Sequence, residues 1–269
     1  MSIPLEDTFA DILGKAQRGL EISDTELSEK SGVSLADLKL LRAGNFDETA
    51  AHKIAPLLDL NADALAAIAL QRWQPQHVEV AGLFSTTTPF DDMTVNAYLV
   101  WDSGSREAAA FDTGADCNGL LRFIGDNRLA LKFILCTHTH GDHILELDLL
   151  HEKTGAPAFA SRHEPLDGAE PFDEGKTFAL GSLRIDTRLT CGHSRGGITY
   201  VVSGLAKPVA IVGDALFAGS MGGGMVSYAD ALRTNREQIF SLPDETILCP
   251  GHGPLTTVGE EKKHNPFFS

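Results

Sequence analysis

Two regimes of hydrophobic patterning divide the chain. Up to about Trp73, Leu and Ala recur among acidic residues with few β-branched runs; beyond Pro75, short segments rich in Val, Ile, Thr and aromatics alternate with glycines. This predicts an all-α front over residues 1–75 and a larger α/β part over 76–269. In the front, "ISDTELSEKSGVSLADLKLLRAGN" reads as two short helices. Ser23 with Glu26 forms a capping box, Gly32 ends the first helix, and Ser34 opens the second, which runs from about Leu35 to Ala43. In the larger part HVEVAGLF, VNAYLVW, EAAAFD, KFILC, LRIDTRL, ITYVVS, PVAIVG and TILC read as strands, some apolar throughout, as in a sheet covered on both faces. Helices are expected over 119–125, 144–153 and 230–240.

Composition narrows the function classes. The 269 residues suit two domains, and a net charge of −15 repels phosphate and anionic lipid, so nucleic acid and membrane are disfavoured and a small-molecule substrate is expected. The front resembles the helix-turn-helix of phage repressors. It carries seven Lys/Arg against twelve Asp/Glu through Arg72, with Asp37 on the helix that would read bases, so a packing or homodimer role is expected. No apolar run approaches the roughly 20 residues of a bilayer span. The start has no basic and apolar leader pattern, so a cytoplasmic location is expected. Four cysteines without a CxxC pair read as buried thiols.

The candidate chemistry is concentrated in "ILCTHTHGDHI", residues 134–144. Alternation past the strand KFILC puts His138 and His140 on one side, Gly141 permits a sharp turn, Asp142 takes a helix N-cap position, and His143 turns back toward the same cavity. Three later segments repeat the grammar of apolar strand, turn glycine and one ligand: His193 in "LTCGHSRGG", Asp214 in "VAIVGDALF" and His252 in "TILCPGHGP". Five His and two Asp exceed what one tetrahedral zinc uses. Two divalent ions are the simplest accounting, zinc first, with iron or manganese also compatible with nitrogen and carboxylate donors. Such a pair supports hydrolysis at neutral pH.

"THTHGDH" followed by His193, Asp214 and His252 at these intervals resembles the metallo-β-lactamase superfamily, over essentially Val78 to Phe268. The resemblance implies a four-layer αββα sandwich with the site at one edge of the paired sheets. It implies His138, His140 and His193 on one metal, Asp142, His143 and His252 on the second, and Asp214 bridging, with Asp142 and Asp214 as the catalytic carboxylates. "LCPGHGPLTTVGEEKKHNPFF" is similar to the glyoxalase II-like branch, which implies a thioester or ester substrate attacked by a bridging hydroxide. Glyoxalase II proper continues into a helical region that helps bind glutathione, and this chain ends at Ser269, so glutathione recognition is not part of the expectation. Where many relatives carry a Gly-x-Gly-Arg-x-Asp-like segment, this chain has "FAGSMGGGMVSYAD". The alternatives are a mononuclear iron persulfide dioxygenase using His138, His193 and Asp214, a lactonase (whose Tyr would stand at Phe217), and a regulator whose metal domain serves the front helices. Asn96 is expected to hydrogen-bond at a strand end near the site, and Cys136, His151 and Tyr228 to serve structure.

Overall fold

A computed structural model describes residues 3–269. The front forms α1 (Phe9–Gly19), α2 (Asp24–Ser31), α3 (Leu35–Arg42), α4 (Glu48–Ile54) and α5 (Ala62–Ala69), with a 3-10 turn at Ala55–Leu58. Each α-helix opens on a side chain that accepts from the first turn: Thr8, Ser23, Ser34, Asp47 and Asn61. Such caps contribute about 1 kcal/mol each and explain how such short helices are held. The reciprocal capping box lies at Thr8 and Asp11. At the expected position Ser23 accepts from the Glu26 amide, but the Glu26 carboxylate turns to Lys30 at 2.7 Å.

Two six-stranded sheets follow. The first contains, in spatial order, β1 (Leu83–Phe90), β2 (Met93–Trp101), β3 (Glu107–Phe111), β4 (Ala130–Leu135), β5 (Ala158–Ser161) and β6 (Ala169–Phe172). The second contains β7 (Thr177–Leu180), β8 (Leu183–Leu189), β9 (Ile198–Ser203), β10 (Val209–Gly213), β11 (Ile247–Pro250) and β12 (Thr256–Thr257), ordered β12-β11-β10-β9-β8-β7. Helices α6 (Asn118–Asn127), α7 (Gly141–Ile144) and α8 (Leu147–Thr154) follow strands of the first sheet. Helices α9 (Tyr228–Thr234), prolonged by a π-helical turn to Ile239, and α10 (Val258–His264) belong to the second half.

Period-two burial explains the strands that are apolar throughout. Tyr98 and Val100 of β2, Leu135 of β4, and Val209 and Ile211 of β10 enter the core between the sheets. Their neighbours Ala97, Leu99 and Ile134 face the outer core of the first sheet, and Ala210 and Val212 the outer core of the second. The result is the expected four-layer sandwich. The front helices do not stand apart from it: Ile12, Leu41, Leu58 and Leu65 share one apolar cluster with Ala210, Val212 and Leu248. A Cβ on Gly19 of α1 would fall 2.2 Å from Cγ of Tyr228, so only glycine lets these surfaces meet.

Several elements differ from the sequence reading. Of HVEVAGLF only Leu83 and Phe84 pair, because residues 77–82 have no partner strand and Gly82 turns at φ 94°. The hairpin strand LFSTTTPF escapes notice because its Thr-rich pattern belongs to an edge strand. The expected helix over 144–153 is two, α7 and α8, and that over 230–240 begins at Tyr228. No helix among the described residues is long and apolar enough to cross a membrane.

Candidate metal centre

All seven expected ligands converge. His138 and His140 follow β4, Asp214 follows β10, His252 follows β11, and His193 lies between β8 and β9. These loops open at one edge of the paired sheets. α7 begins at Gly141 with His140 as its N-cap residue, so Asp142 stands inside the first turn and not at the cap. The turn brings its carboxylate Oδ2 within 3.4 Å of His143 Nε2 and 3.3 Å of His252 Nε2. On the other side, His140 Nδ1 lies 3.0 Å from Nε2 of both His138 and His193. Two groups result, His138, His140, His193 and Asp214 in one, Asp142, His143 and His252 in the other. Asp214 faces both: Oδ2 is 3.4 Å from His193 Nε2 and from His252 Nε2, and Oδ1 is 3.3 Å from His143 Nε2.

The far nitrogen of each imidazole decides which nitrogen offers a lone pair. His193 Nδ1 donates to the Gly223 carbonyl at 3.0 Å, and His252 Nδ1 to the Thr94 carbonyl at 2.6 Å. His143 Nδ1 donates to Asp112 Oδ2 at 2.8 Å. The Thr137 hydroxyl gives its proton to Asp112 Oδ2, so it accepts from His138 Nδ1 at 3.0 Å. Carbonyl and carboxylate oxygens can only accept, so Nδ1 carries a proton in all four and Nε2 is the nitrogen turned toward a cation.

Asp112 is the residue that sequence reasoning missed. It is buried, ends β3 in the left-handed region at φ 57°, and orients one imidazole in each ligand group. Its signal was present in EAAAFD, an acidic residue closing an apolar strand, the same grammar as Asp214. The Thr94 and Gly223 carbonyls carry no signal, since any residue supplies one. Asn96 hydrogen-bonds near the site as expected, but from inside β2 and not at a strand end: its side-chain amide donates to the carbonyls of Pro250 and Gly253, on either side of His252. Cys136 is a buried thiol, and His151 Nδ1 donates to the Ala156 carbonyl.

The electrostatics suit cations. Burial disfavours a charged His138 and His193 and lowers both pKa values. Burial also opposes charge on His143, but Asp214 and Asp112 overcome it and push it up to about 10; His252, beside Asp142 and Asp214, rises to about 11 against the same penalty. Asp214, despite burial, is held well below the usual carboxylate range by His143 and its neighbours. His143 Nε2 and Asp214 Oδ1 are buried and face each other at 3.3 Å without hydrogen-bond geometry, and neither has another hydrogen-bond partner among the described residues, an expensive arrangement unless something else binds them. A Cβ on Gly251 would fall 2.1 Å from Asp214 Oδ1 and 2.6 Å from His143 Cε1, so the chain keeps this cradle free of side chain. Gly222 likewise presses on the Asp214 carbonyl and the His193 ring, which makes it a packing glycine. The orphaned atoms, the donor set and the cradle all fit divalent metal ions.

The family description "Metallo-beta-lactamase superfamily" matches residues 90–252. The probable metallo-hydrolase YqgX of Bacillus subtilis is 30% identical, over 67% of this chain and 95% of its own. The hydroxyacylglutathione hydrolase GloC of Haemophilus influenzae is 28% identical, over 65% of this chain and 92% of its own. The crystal structure of TTHA1623 in a di-iron-bound form aligns with a TM-score of 0.57 at 27% identity, covering 68% of this chain and 99% of that one. Each of these matches leaves about a third of the present chain uncovered.

Proposed function

The chain belongs to the metallo-β-lactamase superfamily, and from that premise we propose that it is a binuclear metallohydrolase cleaving a thioester or ester. The observation that carries this reading is the position of Asp214, whose two oxygens face ligand nitrogens of both groups at 3.3–3.4 Å. A carboxylate so placed can serve two cations at once. In this reading His138, His140 and His193 hold one ion, Asp142, His143 and His252 the other, and Asp214 both. Zinc is the first candidate. Iron and manganese suit the same donors, and the di-iron form of TTHA1623 supports a two-ion site.

Two such ions supply an acidified water and positive charge for the attacked carbonyl oxygen near neutral pH. The chain's own groups hold that arrangement rigid: Asp112 and Thr137 fix His138 and His143, while Asn96 fixes the turn around His252. His140 and His193 are half-buried and the other ligands buried, so the first group gives the route of approach. Met93, Leu145 and Met225, one or two residues from Thr94, His143 and Gly223, are exposed large apolar side chains in the same segments. A thioester fits best, because its thiolate leaves with little acid assistance, and similarity to GloC supports that choice.

The test is metal analysis of protein purified without chelator, together with thiol release from a panel of acyl thioesters and esters. Two ions per chain with turnover are expected. A reproducible single iron, with oxygen consumed in the presence of glutathione persulfide and no thioester cleavage, would replace this reading with a mononuclear dioxygenase.

A further inference from the structure

The residues ahead of α1 run as a strap between two loops that border the metal centre. On one side, residue 6 lies against the turn that follows ligand His252: a Cβ on Gly253 would fall 3.2 Å from the Glu6 amide nitrogen and 3.4 Å from its Cβ. On the other side, Asp7 accepts from the Ser220 hydroxyl and pairs with Lys15 of α1, and Lys15 also donates to the Met221 carbonyl at 2.8 Å. The next residue, Gly222, is the one pressed against Asp214 and His193. Glu6 is therefore suspended between two loops that carry or brace ligands of both groups.

Its side chain is half-buried, and among the described residues its carboxylate has no hydrogen-bond or ion-pair partner. Burial raises its pKa, with His252 and Lys15 acting to lower it and Asp7 and Asp214 to raise it. The nearby cation, Lys15, is committed to Asp7 and lies over the Phe217 ring, which in turn packs edge-on against His252. What the strap offers on the His252 side is thus a carboxylate with no hydrogen-bond or ion-pair partner of its own among the described residues.

We propose that Glu6 is a specificity-determining residue of this centre: its free carboxylate accepts from an ammonium or other N–H donor on the substrate and disfavours substrates that place a carboxylate there. The word substrate rests on the hydrolase reading, whereas the preferred charge rests on the strap alone. Glu6 lies ahead of residues 90–252, the span that the family description matches.

The test uses the full-length, metal-loaded chain as wild type, E6Q and E6K. Binding of two small thiols of opposite charge, cysteamine and mercaptoacetate, is measured by calorimetry and needs no turnover. Wild type is expected to prefer cysteamine by about tenfold, the effect of roughly one charge interaction at short range. E6Q should bring the two affinities within about threefold and E6K should reverse their order, with metal content and melting temperature unchanged. An unaltered preference in E6Q, absence of binding by either thiol, or loss of metal from E6Q would overturn the proposal. Charge-dependent binding without thioester cleavage would instead sustain Glu6 and sink the hydrolase reading. In a catalytically active chain, E6Q should lower kcat/KM for an amino-acyl thioester relative to that for a neutral one.

Discussion

Asp112 Oδ2 accepts a 2.8 Å hydrogen bond from His143 Nδ1, and the same oxygen takes the Thr137 hydroxyl proton that sets His138. One buried carboxylate thereby fixes an imidazole in each ligand group. Its other oxygen accepts from the Thr137 amide at 2.7 Å. An amide cannot accept all three donors, so Asp112→Asn should weaken metal binding by about 10- to 100-fold, the usual cost of removing a group that orients a ligand. Competition with a chromophoric chelator measures this, and wild-type affinity in the variant would refute the role.

Gly251→Ala tests the cradle. A methyl group 2.1 Å from Asp214 Oδ1 must displace either that carboxylate or the β11 turn. The expected result is loss of at least one ion per chain, with a stability cost of about 1–3 kcal/mol from overpacking. Full metal content at an unchanged melting temperature would contradict the geometry.

Metal uptake should release protons. In the metal-free chain the neighbouring carboxylates push His143 up to about 10 and His252 up to about 11 against burial, which favours the charged form of both at neutral pH, and each must surrender its Nε2 proton to bind a cation. Apparent affinity should therefore rise with pH below that range. Calorimetry in buffers of different ionisation enthalpy should show about two protons released from these imidazoles near pH 7, and a value near zero would rule this out. Chelation should correspondingly lower the melting temperature, since a cation that binds only the folded chain stabilises it.

Glu261 of α10 supplies a separate pH dependence. Burial pushes its carboxyl up to about 7, even though Thr256, Asn265 and the Gly219 amide donate to it. The folded chain then holds a proton that the unfolded chain releases near 4.5, so stability is greatest below 4.5 and falls as pH rises to about 7. The loss approaches about 3 kcal/mol. In Glu261→Gln the Thr256 hydroxyl can rotate to accept from the new amide while the oxygen keeps Gly219 and Asn265. This variant should flatten the slope in chemical denaturation between pH 4.5 and 7, and an identical slope would exclude Glu261 as its source.

Much of the site was legible because its ligands obey a local rule. Strand ends carry polar groups out of the apolar layers, so His138, Asp214 and His252 each follow an apolar run. Asp112 follows the same rule but stands alone, without a glycine-flanked motif to mark it. The segments β5, β6 and β7 are too short, at four residues each, for their periodicity to separate from background.

By itself the sequence determined the two-regime architecture and the seven polar groups clustered in and after its strand-end loops, because burial patterns and strand-end chemistry are written in neighbouring residues, and its resemblance to a known family implied the layered sandwich. Only the tertiary structure decided which nitrogen of each histidine faces inward, that Asp214 looks both ways, and that residue 6 crosses the rim at Gly253. These depend on contacts such as Asp112 with His143 and Glu6 with Gly253, between residues far apart along the chain. Their partners are chosen by how the sheets and front helices pack, and no local pattern encodes that choice.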